Sequence, residues 1–201
     1  MAYTANQIKN LALQEINHEM IADSDWNDPS NTDIPIINAQ YSLAKAVALG
    51  MYQWSWAFKY AELTGVDNTG TQLTKYKKTF TLPSDFIGYL SCYTNEQMTV
   101  LADYVCVGTT VYSNSDKLYI KCIASVDEAN FTSEFVDWFK IFLAMRLNSY
   151  LNGDMQRQQL LAGDEPFYFR KAKNIDSKRN KHDSLSGNPF LWIRGKLGGG
   201  I

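Results

Sequence analysis

The chain has 201 residues, a formal net charge of -2, 45% hydrophobic and 13% aromatic residues. That length holds one domain with a full core, or one domain with extensions, and the near-neutral charge excludes the basic excess by which proteins grip duplex DNA. The three cysteines, Cys92, Cys106 and Cys122, show no Cys-x-x-Cys spacing, which speaks against a disulfide framework or zinc ribbon and for reduced thiols that act as small buried hydrophobes.

Thr4-Ala5-Asn6-Gln7 reads as a capping box. It opens a first helix, expected over 4–22, with Ile8, Leu11, Ala12, Ile16 and Met20 on one stripe. Residues 24–33 form a polar loop dense in turn formers. Asp33 can cap a second helix over 34–54, with Pro35 in its first turn. Along it Ile37, Tyr41, Ala44, Ala48 and Met51 recur at helical spacing, and the small residues Ala39, Ala44, Ala46 and Ala48 allow close approach of a neighbouring helix. Trp54, Trp56 and Phe58 then leave in an extended exit. Residues 57–126 read as a small, mostly antiparallel sheet. Its strands are expected at 73–82, 86–94, 98–107, 109–113 and 117–126, punctuated by Pro83, Gly108 and Asn114-Ser115-Asp116. Asn130 or Thr132 caps a long, central helix over 132–151, lined by Phe135, Phe139, Phe142, Leu143, Leu147 and Tyr150. A last helical stretch covers 155–182, with an expected interruption from Gly163 to Pro166.

From Asp183 onward helical periodicity ends. Between Gly187-Asn188-Pro189 and the terminal glycines lies the apolar run Phe190-Leu191-Trp192-Ile193. Such a run is a docking peptide or a cover for its own domain. The fold class is therefore α+β: a helical bundle (residues 1–182) with the sheet inserted between the second helix and the long one, plus a C-terminal docking arm over 183–201. No leader is recognisable at the N-terminus, and the apolar run near Phe139–Met145 is too short to span a bilayer.

Chemistry-bearing patterns are sparse. His18 and His182 lie far apart in sequence, without carboxylates or cysteines in metal-ligand spacing. Neither a nucleophile elbow nor a P-loop nor a dinucleotide fingerprint occurs. The acids Asp23, Asp25 and Asp28 lack the glycine and closing glutamate of an EF-hand. No catalytic residue, cofactor or metal is expected. The alternative is a small carboxylate-dependent, cell-wall-degrading hydrolase, since two acids can meet from anywhere in a chain. The basic run Arg170, Lys171, Lys173, Lys178, Arg179 and Lys181 reads first as a solvated helix face, partly balanced by Asp164, Glu165 and Asp176. Its second reading is a charged interface, its third contact with passing DNA.

Four stretches in order resemble the tail tubular protein A family, the head–tail adaptors of short-tailed bacteriophages. They are Ala39–Leu49 with Trp54-Ser55-Trp56-Ala57 and Ala61-Glu62-Leu63; Phe80-Thr81-Leu82-Pro83-Ser84-Asp85-Phe86; the glycine-centred hairpin Tyr104–Asn114; and Leu118–Lys121 followed by Val126–Phe135. The likeness spans roughly residues 35–180. Trp56 stands where the family usually has Phe, Lys45 replaces a common Arg, and the Gly163–Pro166 interruption falls in what is often one continuous helix. The resemblance implies a virion protein of the neck, assembled in the host cytoplasm. It implies a homo-oligomeric ring, a dodecamer, between the portal and the tail nozzle or tail tubular protein B, with double-stranded DNA passing through unbound and no membrane partner. A different phage neck or stopper protein is the nearest alternative. Tyr41, Ala44, Ala48, Trp54 and Trp56 are the expected inter-subunit contacts, and Phe190, Leu191, Trp192 and Ile193 the expected portal-docking residues.

Overall fold

The computed structural model describes residues 2–70 and 73–179. Helix α1 spans Ala5–Glu15 and opens on the expected capping box: the Thr4 hydroxyl accepts from the Gln7 N–H and the Gln7 side chain accepts from the Thr4 N–H. It ends well short of residue 22. Asn17 adopts a left-handed conformation (φ 54°), its N–H bonds to the Gln14 carbonyl and the His18 N–H to that of Leu13. That pair of bonds is a Schellman stop with Asn in the place glycine usually takes. Met20 consequently lies outside the helix and is exposed. The following loop is pinned by the Asn10 amide, which donates to the Ile21 carbonyl (2.8 Å) and accepts from its N–H (3.0 Å). A short 3-10 turn, Asp25–Asn27, tucks Trp26 into the core.

Helix α2 runs Asp33–Gly50, so Asp33 is its first residue rather than its cap. The Asn31 side chain takes up the Asp33 N–H (3.0 Å), and the Asp33 carboxylate favours the positive end of the helix. Beyond Met51 the chain turns extended at Trp54 and makes a 3-10 turn, Ser55–Ala57, so the helix stops before the expected residue 54.

The β lobe holds two antiparallel sheets rather than one. Strands β1 (Phe58–Thr64), β7 (Lys117–Ala124) and β4 (Phe86–Tyr93) form the first, in that order; β2 (Val66–Asp67), β3 (Lys78–Thr81), β6 (Thr110–Ser113) and β5 (Tyr104–Val107) form the second. Phe80, Leu82, Cys92, Val111, Leu118, Ile120 and Cys122 make a core of their own within this lobe. The expected strands at 73–82 and 98–107 are trimmed to their ends. Leu73 (φ 50°) and Met98 (φ 60°) sit in left-handed conformations that break a ladder, and the Asn95 side chain closes its turn onto the Thr99 N–H (3.0 Å). Gly108 (φ 60°) opens the two-residue turn between β5 and β6, where Val107 pairs with Thr110.

Helix α3, Ser133–Leu151, is capped by the Thr132 hydroxyl on the Phe135 N–H (3.3 Å). It is the axis of the molecule, touching α1, α2 and α4, and Phe135, Trp138, Phe139, Leu143, Ala144 and Leu147 are fully buried on it. A turn through Gly153 (φ 63°) leads to α4, Met155–Arg179, capped by the Asp154 carboxylate on the N–H groups of Gln156 and Arg157. The expected interruption does not occur: α4 continues unbroken through Gly163 and Pro166 for 25 residues. Pro166 removes one N–H bond to the preceding turn. Packing on both sides of that site holds the helix, since Leu161 and Ala172 are buried and Glu165 accepts from the Trp138 indole (2.6 Å). The chain is thus α+β, as the sequence pattern implies. Among the described residues no helix is long and apolar enough to cross a membrane.

Candidate functional site

The residues expected between subunits are inside this one. Tyr41 is 5% exposed, and Ala44, Ala48 and Trp54 not at all. Tyr41 meets the Phe139 ring at 5.7 Å. Trp54 donates its indole N–H to the Ala48 carbonyl (3.0 Å) and packs against Phe135 (5.0 Å) and Trp138 (5.7 Å). Trp56 is half-buried against Phe131 and Phe135. The spacing of small residues on α2 does mark a close helix contact, but the neighbour is α3 of the same chain. No residue pattern distinguishes a helix of one's own chain from one of a second copy.

What α2 offers outward is Leu43, Val47 and Met51, 51%, 40% and 45% exposed. Gln40, Val47 and Met51 fall on one line of the helix, with Leu43 beside it. Where that line meets α3, the Arg146 guanidinium donates to the Gln40 side chain (3.3 Å). The two helices flank a groove of about 350 Å³ lined by Gln40, Phe142, Met145, Arg146, Ser149 and Tyr150, with Gln158 of α4 at its edge. α4 carries exposed apolar residues of its own, Leu160 (61%) and Phe167 (64%). No sequence signal singles out this groove, because it depends on which sides of α2 and α3 face each other.

The basic run occupies the last turns of α4. Arg170, Lys171, Lys178 and Arg179 are exposed, and Lys173 lies over the Phe169 ring at 4.3 Å. Arg179 reaches Glu134 of α3 at 3.6 Å. Two of the three acids expected to balance this run are turned inward. Asp176 is 3% exposed and accepts from the Ser55 N–H (3.0 Å) and hydroxyl (2.6 Å), while Glu165 serves Trp138. The face is therefore more positive than the sequence suggests. Lys181, His182 and Phe190, Leu191, Trp192 and Ile193 lie outside the described residues.

A second hollow, about 370 Å³, opens between α2 and the turns after β3 and β7, and brings the carboxylates of Asp85 and Glu128 to one wall region with Tyr41, Lys45, Ser84 and Ser125. Glu128 accepts from the Lys45 ammonium (2.8 Å) and the Tyr41 hydroxyl (2.9 Å). Burial alone would lift its carboxyl, but those two bonds and a backbone N–H hold it below the usual carboxylate range. Asp85 is held low chiefly by Lys59 at 2.6 Å. Burial, and then the Glu128 charge, push the Tyr41 phenol up. Lys9 closes the back of this network, donating to Asn38 (2.6 Å) above the Tyr41 and Trp26 rings; burial lowers its ammonium while Glu128 draws it back up. Both carboxyls are thus favoured in their ionised forms by the ammonium groups they bind. His18 is half-buried and 3.5 Å from the Asp33 carboxylate. Among the described residues no group of three or more His, Cys, Asp or Glu side chains is placed to hold a metal.

A scan against models of known protein families finds no match to this chain, and a search of curated proteins finds none either.

Proposed function

We propose that the chain is a structural ring subunit, a head–tail adaptor of a short-tailed bacteriophage that joins the portal to the tail nozzle. One observation carries this reading. The four stretches that resemble the adaptor family fall on successive elements of the kinds the resemblance implies: the small-residue helix α2 and its tryptophan step into β1, the Leu82-Pro83-Ser84-Asp85 turn between β3 and β4, the Gly108 hairpin of β5 and β6, and β7 leading through Phe131 into α3. The unbroken α4 adds support, because a continuous late helix is the family's habit and the sequence alone reads as departing from it.

Ring formation requires a head-to-tail contact between two different patches. The outward line of α2 and the Leu160–Phe167 side of α4 are two such patches on different helices. The basic end of α4 and the arm 183–201 face the portal in this reading, and the near-neutral net charge leaves DNA free to slide through the channel. The location is the neck of the virion, after assembly in the host cytoplasm. Mixing the purified chain with the portal of the same phage should give ring-shaped complexes in electron micrographs, twelve subunits to a ring. A chain that stays monomeric beside its portal overturns the reading. If rings form but the virion neighbours are not a portal and a nozzle, a different neck or stopper protein is the correct assignment.

A further inference from the structure

The groove between α2 and α3 shares Gln40 with the outward line of α2 that carries Val47 and Met51, and the chain itself supplies an apolar segment within reach. α2 and α3 run antiparallel: Gln40 meets Arg146 at one end, and Trp54 meets Phe135 at the other. α4 returns along α3, from the Asn148–Gln158 contact (3.1 Å) to Arg179 beside Glu134 (3.6 Å). The Tyr52 and Ser177 hydroxyls are hydrogen-bonded at 2.8 Å. The described chain therefore ends next to Tyr52, one residue from Met51, at one end of the outward line of α2. From Glu134 to Phe142 along α3 is about 12 Å.

Residues 180–189 are mostly polar, and Phe190-Leu191-Trp192-Ile193 follow. Ten residues span at most about 33–36 Å when extended, so these four side chains reach every part of the groove with slack. We propose that Phe190–Ile193 docks across the α2–α3 groove of its own chain and the outward face of α2 beside it, over Phe142 and Met145 of the groove and against Leu43, Val47 and Met51 of that face. A tether of ten residues gives a local concentration in the millimolar range. A tethered segment then outcompetes an untethered second copy of the groove's occupant at the micromolar concentrations of a dilute chain. Four bulky apolar residues meet a surface on which Leu43, Val47, Met51 and Tyr150 are 40% to 62% exposed. The inference concerns the isolated chain and does not depend on the ring reading. If the ring reading also holds, portal docking by the same four residues follows their release from the groove.

Methionine oxidation by hydrogen peroxide, read residue by residue with mass spectrometry, tests this. Met145 reports the groove and Met51 the outward face of α2 beside it, and Met20, 54% exposed after α1, serves as reference. In a full-length variant with Phe190, Leu191, Trp192 and Ile193 all changed to Ser, Met51 and Met145 should oxidise at least about threefold faster than in the parent, by loss of the tethered cover. Met20 should be unchanged, with the same ratios at low and high protein concentration. Equal rates in the two proteins overturn the proposal. A protection that grows with protein concentration overturns it too, and assigns the groove to a second copy. A groove-side variant gives an independent reading. Val47→Glu, at a position 40% exposed and checked for folding by circular dichroism, should make tryptic cleavage after Arg194 several-fold faster. An unchanged cleavage rate counts against docking.

Discussion

Replacing Trp54 by Ala separates the two roles that its sequence position allows. As an inter-subunit contact, Trp54 would be dispensable to the isolated chain and essential to assembly. As the structure has it, the side chain is fully buried, touches the rings of Tyr52, Trp56, Phe135, Trp138 and Phe169, and donates to the Ala48 carbonyl near the end of α2. Truncating a buried tryptophan to Ala costs about 3–5 kcal/mol. The Ala48 carbonyl is left without its indole partner, at about 1 kcal/mol more where water does not reach it. A loss of about 4–6 kcal/mol is a large part of the roughly 5–15 kcal/mol that holds a domain folded. At roughly 2–4 °C per kcal/mol for a chain of this size, the thermal midpoint should fall by about 8–24 °C. Urea unfolding of the isolated chain at low concentration, followed by tryptophan fluorescence and circular dichroism, measures this directly. A variant that loses under about 1 kcal/mol while failing to assemble would refute the core placement and restore Trp54 to an interface. Leu43→Ser is the control, because an exposed site of this kind changes stability by no more than about 0.5 kcal/mol.

Asn17→Ala should cost about 1 kcal/mol, because the left-handed stop of α1 is strained for a residue with an ordinary Cβ; Asn17→Gly should be neutral or stabilising, both read from urea midpoints. Pro166→Ala should stabilise the chain by about 1–3 kcal/mol, since the site is an exposed helix interior and alanine restores the missing N–H; a loss of stability would mean that α4 is not continuous there. Asp85 and Glu128 both titrate below the ordinary carboxylate range in the folded chain. The unfolded chain therefore binds protons more readily, and their contribution is complete above about pH 4–5 and lost as pH falls through the folded values. Glu128→Gln should flatten the acid limb of stability against pH, and an unchanged limb would show that the Lys45 and Tyr41 bonds contribute nothing.

Local signals in the sequence hold where a side chain acts within its own turn. The Thr4 box, the Thr132 cap, the Pro83 stop and the Gly108 turn all sit where residue chemistry alone puts them. Errors begin where tertiary context decides. Asn17 ends α1 by a conformation that glycine usually signals, so the periodic residues beyond it read as helix. The strands at 78–81 and 104–107 are ends of longer β-like runs, cut by left-handed Leu73 and Met98, which nothing local announces. Gly163 and Pro166 look like a break because their propensities oppose helix, yet contacts from Leu161, Glu165 and Ala172 override them. The polar network at Glu128 joins residues 87 and 83 positions apart, a pairing that no single sequence exposes.

The same limit applies to α2, and there it bears on function. The helix carries apolar residues on two sides, alongside the polar Asn38, Gln40, Ser42 and Lys45: Ile34, Ile37, Tyr41, Ala44, Ala48 and Leu49 face the core, and Leu43 and Val47, with the cap residue Met51, face out. A helix of that kind belongs to an interior on both sides. A lone globule of the described residues leaves one side wet, so the outer line of α2 is a surface built to be covered. On the docking proposed above, cover from the chain's own C-terminal residues would hold the isolated chain as a monomer. On the proposed ring reading, cover from a neighbouring copy that brings Leu160 and Phe167 of α4 would close the ring. The two are mutually exclusive on one surface, so displacement of the first by the second would tie the order of assembly to the C-terminal segment. Truncating that segment should then make the isolated chain self-associate at lower concentration, which sedimentation velocity measures. A truncated chain that stays monomeric over the same range as the full one breaks that link.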